Sequence, residues 1–140
     1  MIEIARVAAT DPKEISSEDY QPITDPENTK RFVEDYFRDI PLLQKIAFCE
    51  STYRHFSKNG SVTRGRKNSY DVGVMQINEL YHAKEASVLG IDIETIDDNV
   101  TFAHHLYERE GARPWSSSSK CWSKSEDLAI NNSGVSALKN

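Results

Sequence analysis

Glu50 stands where a carboxyl group can be tuned for proton transfer. It ends the most apolar helical stretch of the chain, one turn after Ile46 and Ala47 and one turn before Tyr53. Because an apolar setting disfavours the charged form, such a carboxyl has a raised pKa and can donate a proton near neutral pH. The alternative is a solvated glutamate at a helix end.

Asp71 is a second candidate, within the polar stretch 68–73. Cleavage of a glycosidic bond usually needs two carboxyl groups on opposite walls of a cleft, one as acid and one as nucleophile or cation stabiliser. Residues 73–78 then bring a glycine, a methionine and two amides together, and amides suit sugar hydroxyl and acetamido groups. Structural interpretations stay open, since Asp is common in turns and Asn78 can cap the next helix.

The remaining reactive side chains are less well placed for chemistry. The histidines lack metal-ligand spacing, and adjacent ones on a helix point about 100° apart. They are His55, His82, His104 and His105. We therefore expect no metal and no other cofactor. Cys49, beside Glu50, fits an inert or bridged thiol better than a nucleophile, and spacing alone leaves a bridge to Cys121 an even choice. The basic stretch 54–67 either meets an anionic substrate or forms a solvated loop.

Four helices are predicted to position these residues. Apolar residues recur with helical period in four stretches. Their start signals are Asp25-Pro26, Pro41, Asn78, and Asp98 or Asn99, and the last two helices stop at Gly90 and Gly111. Between the second and third helices, residues 57–71 are polar and rich in turn residues, which predicts a small hairpin or loop.

Length and charge limit the classes of protein to consider. The 140 residues fit one compact domain, and a net charge of −5 argues against a phosphate-backbone binder. No apolar run approaches the roughly 18 residues of a transmembrane helix. The first residues are acidic where a signal peptide is basic, so we expect a soluble chain, either cytoplasmic or trimmed of its export signal. We expect an extended acidic arm at 1–23, a domain at 24–122 and a frayed polar tail at 123–140.

The order and spacing of three segments resemble the lysozyme-like lytic transglycosylase (SLT-type) domain, over roughly residues 40–122. They are 46–51 (IAFCES), 69–78 (SYDVGVMQIN) and the helix start at Asp98-Asn99. The second segment is similar to that of small transglycosylases that accompany secretion and pilus systems. Chicken-type lysozymes have a similar string, with a second carboxylate that matches Asp71. The Cys-Glu-Ser start and the late Trp115 and Cys121 resemble resuscitation-promoting factors, in which the two cysteines are bridged.

The resemblance implies a mainly α, lysozyme-like fold with a small β or loop element beside an active-site cleft. It implies that Glu50 protonates the glycosidic oxygen between N-acetylmuramic acid (MurNAc) and N-acetylglucosamine (GlcNAc). The same carboxylate then acts as base on the muramyl 6-hydroxyl, which closes a 1,6-anhydro ring. Asp71 supports this reaction or, in a muramidase, takes part in hydrolysis.

The implied substrate-binding residues follow from the same match. They are Ser51, Ser69, Gly73, Met75, Gln76 and Asn78, to which Tyr107 is added as a candidate for a tyrosine that the family has in its cleft. Gln76 is the foremost candidate for a sugar contact. Many relatives carry a tyrosine that faces the catalytic glutamate, but residues 111–116 here offer no clear match, which leaves Tyr107 or Trp115 as candidates for its place.

We therefore expect a peptidoglycan lytic transglycosylase that acts on glycan strands as a monomer, with a secretion or cell-wall assembly complex as a candidate partner. Neither nucleic acid nor a membrane span is expected. The alternatives are a muramidase and a non-catalytic peptidoglycan-binding or assembly module. The resemblance also implies a Cys49–Cys121 disulfide, and with it an extracytoplasmic location in the periplasm, cell wall or medium.

Overall fold

A computed structural model describes residues 14–130 of the chain, and this part is mainly helical, as predicted. The α-helices are α1 (Pro26–Tyr36), α2 (Pro41–Ser51), α3 (Glu79–Leu89), α4 (Ile96–Glu110) and α5 (Ser119–Ile130). Two short strands are β1 (Asp71–Val72) and β2 (Ile77–Asn78), and 3₁₀ helices span Ser17–Tyr20 and Arg113–Ser118. Within residues 14–130, no helix is long and apolar enough to cross a bilayer.

The helix boundaries follow their local signals. The Asp25 side chain accepts a hydrogen bond from the Glu27 N–H at the start of α1, and the Asn78 side chain accepts one from the Tyr81 N–H at the start of α3. Gly90, with φ of 70°, ends α3 in the left-handed conformation that glycine adopts without strain. The predicted starts at Asp25-Pro26, Pro41 and Asn78, and the stops at Gly90 and Gly111, are confirmed.

The predicted start of α4 is wrong by two to three residues. The helix begins at Ile96, because the Thr95 side chain accepts a hydrogen bond from the Asp98 N–H and so caps it. The carboxylate of Asp98 instead accepts a hydrogen bond from the Asp92 N–H, at 2.8 Å. Threonine and aspartate can both cap a helix, and the sequence alone led us to place the helix start at Asp98 or Asn99 instead of after Thr95.

The segment before α1 differs from the extended arm predicted for residues 1–23. Ser17 donates hydrogen bonds from its N–H and its hydroxyl to the Asp97 carboxylate at 2.8 and 2.5 Å. The Tyr20 ring meets the Phe32 ring edge-on at 5.5 Å, and Ile23 is buried. Residues 17–23 therefore pack against α1 and the start of α4. Residues 1–13 of the predicted arm lie outside the described residues.

The chain after Trp122 also differs from the prediction of a frayed tail. The helix α5 continues to Ile130, and it is anchored at its first turn by a disulfide from Cys121 and by Trp122, whose indole N–H donates to the Trp115 carbonyl at 3.1 Å. Residues 131–140 lie outside the described residues.

The core lies between α1, α2 and α4 and takes in the turn between the two strands. Phe32, Leu43, Ile46, Val100 and Phe102 have no exposed surface. Val72, Val74 and Met75, from the β1–β2 connection, are equally buried. The loop that carries candidate site residues is therefore part of the core, which fixes its position against the helices.

The small β element is present beside α2 and α4. Strand β1 pairs antiparallel with β2, so that Asp71 lies opposite Asn78 and Val72 opposite Ile77. Within residues 57–71, where a small hairpin or loop is predicted, Val62 and Arg64 form isolated bridges with Phe56 and Val72. The element is thus a two-residue ladder with a looped extension.

Candidate active site

Glu50 and Asp71 line the same cleft. Glu50 lies in the last turn of α2, and Asp71 begins β1. The cleft has a volume of about 380 Å³. Its other lining residues are Gln76, Ile77, Asn78, Tyr81, His82, Leu106, Glu110, Pro114, Trp115 and Ser117. The lining thus combines amides, carboxyls and aromatic rings with apolar side chains, a mixture that suits a polar ligand such as a sugar.

The Glu50 carboxyl is held in a partly dehydrated position. Burial raises the pKa of Glu50 above its usual value, and the nearby Asp71 carboxylate raises it further. The Ser118 hydroxyl donates to Glu50 Oε2 at 2.7 Å and lowers the pKa in part, because it stabilises the charged form. The net direction is upward, which is what a general acid near neutral pH needs.

Asp71 is fixed by the partner strand. Asn78 Nδ2 donates to Asp71 Oδ1 at 3.1 Å, across the pair in which the two residues face each other. Burial raises the pKa of Asp71 and the bond from Asn78 partly offsets this. Glu50 and Asp71 thus both have raised pKa values, each chiefly through loss of water.

Buried polar side chains hydrogen-bond to the backbone of Val72, Val74 and Met75, in and beside the turn that joins β1 to β2. Asn99 donates to the Val72 carbonyl at 3.0 Å and accepts from the Met75 N–H at 2.9 Å. His55 Nδ1 accepts from the Val74 N–H at 3.0 Å. Ser51 Oγ donates to the Val74 carbonyl at 2.8 Å, and the Trp115 indole N–H to the Met75 carbonyl at 2.8 Å. Hydrogen bonds between buried polar groups of this kind hold the backbone of the turn in one conformation.

These bonds fix the protonation of His55. Its Nδ1 accepts a hydrogen bond, so its proton is on Nε2, which donates to the Glu94 carbonyl at 2.8 Å. Burial lowers the pKa of His55, since the charged ring is disfavoured away from water. His55 is therefore a neutral scaffold residue behind the cleft wall.

Gly73 lets the turn approach this scaffold. A Cβ at this position would lie 2.5 Å from Asn99 Nδ2 and 2.6 Å from the His55 ring, and the φ of 79° disfavours any other residue. Gly73 is thus required by close packing, and it lies behind the wall of the cleft.

Gln76 carries a left-handed backbone with φ of 50° at the cleft wall. Its side chain Nε2 donates to the Gly73 carbonyl at 3.0 Å, and its N–H donates to the same carbonyl. Non-glycine residues in this conformation are uncommon and are over-represented at functional sites. The conformation directs Gln76 into the cleft that Glu50 and Asp71 line.

The structure divides the predicted substrate-binding residues into two groups. Gln76 and Asn78 line the cleft. The others, Ser51, Ser69, Gly73, Met75 and Tyr107, are absent from its lining within residues 14–130. Ser51 and Met75 are buried behind the turn, the Ser69 carbonyl accepts from the exposed Arg64, and Tyr107 packs half-buried against the core.

The Cys49–Cys121 disulfide is present and lies next to the site. It joins α2 to α5 with an S–S distance of 2.03 Å. Cys49 precedes Glu50, and Cys121 follows Ser118 by less than one turn. The disulfide therefore ties α2, which carries Glu50, to the helix that directly follows Ser118.

Several site residues were not predicted from the sequence. Ser118 lies in a run of four serines, and nothing local distinguishes it from its neighbours. The Tyr81 side chain is 82% exposed at the cleft edge, and its place in the first turn of α3, just after Asn78, is the sequence feature that could have indicated it. Glu110 lines the cleft from the end of α4, where Arg109 lowers the pKa of its carboxyl and keeps it charged.

In the described part of the chain, no three His, Cys, Asp or Glu side chains are grouped to hold a metal ion. Comparison of the chain with protein-family models, with curated proteins and with solved structures gave no match.

Proposed function

We propose that this protein is a peptidoglycan lytic transglycosylase with a lysozyme-like fold, which cleaves the β-1,4 bond between MurNAc and GlcNAc. The observation that carries the proposal is Glu50, a carboxyl with a raised pKa that lines one cleft with Asp71. The order of sequence segments around both residues, similar to the transglycosylase domain, gives the substrate class.

The proposed reaction uses Glu50 twice. Protonated Glu50 gives its proton to the glycosidic oxygen as the bond from that oxygen to the muramyl C1 breaks. The Glu50 carboxylate then takes the proton of the muramyl 6-hydroxyl, whose oxygen forms the new bond to C1. The products are a free GlcNAc 4-hydroxyl and a 1,6-anhydro-MurNAc end, and Glu50 is protonated again. No water and no cofactor enter the reaction.

Asp71 has the supporting role in this proposal. An ionised carboxylate across the cleft from Glu50 stabilises the positive charge that develops at C1 and the ring oxygen. The hydrogen bond from Asn78 stabilises the ionised form of Asp71. This also favours a second candidate, a muramidase in which the Asp71 carboxylate assists attack by water. The two candidates cleave the same bond and differ in the oxygen that then bonds to the muramyl C1. It comes from the muramyl 6-hydroxyl in the transglycosylase and from water in the muramidase.

The lining of the cleft supports an uncharged sugar backbone as ligand. The side-chain NH₂ groups of Gln76 and Asn78 each carry a second proton, besides the one given to Gly73 or Asp71, that can be donated to sugar hydroxyl and acetamido oxygens. The exposed Tyr81 ring offers an apolar face for a sugar ring. We propose that the protein works on glycan strands outside the cytoplasm as a monomer, alone or within a secretion or cell-wall assembly complex. The Cys49–Cys121 disulfide supports that setting, because such bonds persist in oxidising compartments.

Mass spectrometry of the soluble products from purified peptidoglycan tests the proposal. We expect muropeptides that end in 1,6-anhydro-MurNAc, one water lighter than those with reducing ends. Reducing ends would make the protein a muramidase and promote Asp71 to a direct part in hydrolysis. Binding to insoluble peptidoglycan without any released product would overturn both enzymes and leave the non-catalytic binding module.

A further inference from the structure

The Ser118 hydroxyl lies between two acceptors. Its Oγ is 2.7 Å from Glu50 Oε2 and 3.1 Å from the Trp115 carbonyl oxygen. A hydroxyl has one proton to donate and lone pairs with which to accept. Ser118 can therefore donate to Glu50 or to Trp115, but only to one of them at a time.

We propose that Ser118 is a positioning residue that keeps Glu50 hydrogen-bonded in both of its ionisation states by turning one hydroxyl proton between two acceptors. When Glu50 is ionised, Ser118 donates to the carboxylate. When Glu50 is protonated on Oε2 and no substrate is bound, the Glu50 O–H donates to Ser118 Oγ, and the Ser118 O–H turns to the Trp115 carbonyl. When the acid proton is on Oε1, directed at the glycosidic oxygen, Ser118 donates to Oε2 as it does to the carboxylate. No proton is exchanged between the two residues, and no heavy atom has to move.

This arrangement suits a carboxyl that serves first as acid and then as base, and in that respect the inference rests on the proposed function. A carboxyl with a partner in only one state would swing away in the other. The second step of the reaction would then start from a displaced base, and small displacements in a reacting geometry cost rate. Ser118 removes the need for that movement.

The second acceptor is itself firmly held. Trp115 is 2% exposed, and its indole N–H donates to the Met75 carbonyl at 2.8 Å. Its carbonyl also accepts from the Trp122 indole N–H at 3.1 Å, and an oxygen with two lone pairs can accept from both donors. The Cys49–Cys121 disulfide joins the residue before Glu50 to a residue three positions after Ser118. Both acceptors are thus fixed relative to the hydroxyl.

The effect of removing the hydroxyl has a definite sign. Burial and the Asp71 carboxylate on β1 raise the pKa of Glu50, and the Ser118 bond opposes them. His82 from α3 and Glu110 from α4 line the same cleft. Loss of the hydroxyl takes a charge-assisted bond from ionised Glu50 and a weaker neutral bond from protonated Glu50. The ionised form loses more, so the pKa of Glu50 rises.

Carbon-13 NMR titration of glutamate-labelled protein tests this without any assay of activity. Glu50→Gln identifies the Glu50 carboxyl signal by its loss. We expect Ser118→Ala to shift the Glu50 titration upward by roughly 0.5–1 pH unit, and Ser118→Thr, which keeps the hydroxyl, to restore the wild-type midpoint. Ser116→Ala is the matched control, because the Ser116 hydroxyl bonds within its own 3₁₀ helix and not to Glu50. An unchanged midpoint in Ser118→Ala would overturn the inference, as would equal shifts in the alanine and threonine variants.

The pH dependence of kcat/KM gives the second readout. Because the general acid must be protonated, the alkaline limb of the profile should move upward in Ser118→Ala by the same amount as the NMR midpoint, while KM stays near the wild-type value. The two hypotheses fail separately. Wild-type protein that releases no product, but shows the NMR shift in Ser118→Ala, would refute the enzyme and keep the positioning role. Product release by the wild-type protein, with no shift of the Glu50 midpoint in Ser118→Ala, would keep the enzyme and refute the positioning role.

Discussion

The chemistry assigned to Glu50 depends on one exchangeable proton, and Glu50→Gln removes it with little change of shape. The amide oxygen can still accept from Ser118, so the hydrogen bond at 2.7 Å has a substitute. We expect release of soluble muropeptides from purified cell walls to fall at least about 100-fold, the lower end of what general acid–base catalysis contributes. A thermal melt should show no loss of stability, since a buried carboxyl that resists ionisation is replaced by a neutral group. Wild-type turnover by Glu50→Gln would rule out the enzyme.

Tyr81 tests the assignment of the cleft to a sugar. Its ring is 82% exposed at the cleft edge, so its removal costs little packing. We expect Tyr81→Ala to raise KM for glycan strands about 5-fold, the equivalent of one aromatic contact of about 1 kcal/mol, and to leave stability unchanged. Leu80→Ala is the matched control, because Leu80 is similarly exposed on α3 but faces a different groove. Equal KM values for the two variants would show that Tyr81 does not contact the substrate.

At the scale of elements, the turn between β1 and β2 depends on neutral histidine. Burial lowers the pKa of His55 and of His82, so the unfolded chain binds protons more readily than the folded chain. Their contribution to stability is present above the unfolded value near 6.5 and is lost as the pH falls below it. Glu50 and Asp71 have the opposite sign, because raised carboxyl pKa values favour the folded state at acid pH.

We therefore expect the melting temperature to fall from pH 7 to pH 5, with a slope of at most about 1.4 kcal/mol per pH unit for each histidine. The fall should be steeper in Glu50→Gln, where one opposing carboxyl is gone. Calorimetry across that range is the measurement. A melting temperature that rises on acidification in both proteins would show that the two histidines do not govern the pH dependence of stability in this range.

The same elements show what can be read from neighbouring residues alone. Pro, Asp, Asn and Gly act on the backbone beside them, and the starts and stops at Asp25, Pro41, Asn78 and Gly90 were predicted for this reason. Where two residues compete for one cap, as Thr95 and Asp98 do, local sequence does not decide. The helix α5 was not predicted, because its sequence is polar. The disulfide that holds it joins Cys121 to a residue 72 positions earlier, and neighbouring residues do not reveal such a contact.

The residues of the candidate site likewise divide into those that the local sequence predicts and those that depend on distant contacts. Glu50, Asp71, Gln76 and Asn78 could be predicted because each stands beside a helix end or a turn. Ser51 and Met75 lie in the same strings but face inward. Ser51 donates to the Val74 carbonyl, and the turn that carries Met75 is bonded to buried Asn99 and His55. Whether a residue in a short apolar string faces the cleft or the core is set by contacts from distant elements. The bond from Ser118 to Glu50 spans 68 positions and leaves no local signature.

At the scale of the whole molecule, the Cys49–Cys121 disulfide closes a loop of 72 residues that contains the whole cleft from Glu50 to Ser118. Limiting the unfolded chain in this way is worth about 4 kcal/mol in the chain-entropy description. Thiol titration of the unfolded, unreduced protein should find no free thiol. Two free thiols would refute both the bridge and its support for an extracytoplasmic location.

Removal of the bridge should affect stability and catalysis differently. We expect Cys49→Ala with Cys121→Ala to lower the free energy of unfolding in urea by about 4 kcal/mol. In conditions where the double variant is still folded, its kcat should also fall, because α2 and α5 are no longer joined beside the Glu50–Ser118 bond. A double variant with wild-type kcat but reduced stability would show that the α2–α5 packing alone aligns the two residues. A variant with wild-type stability would show that the bridge does not restrict the unfolded chain. A fall in both, with KM unchanged, would mean that one covalent link both stabilises the fold and aligns the acid with the hydroxyl that holds it.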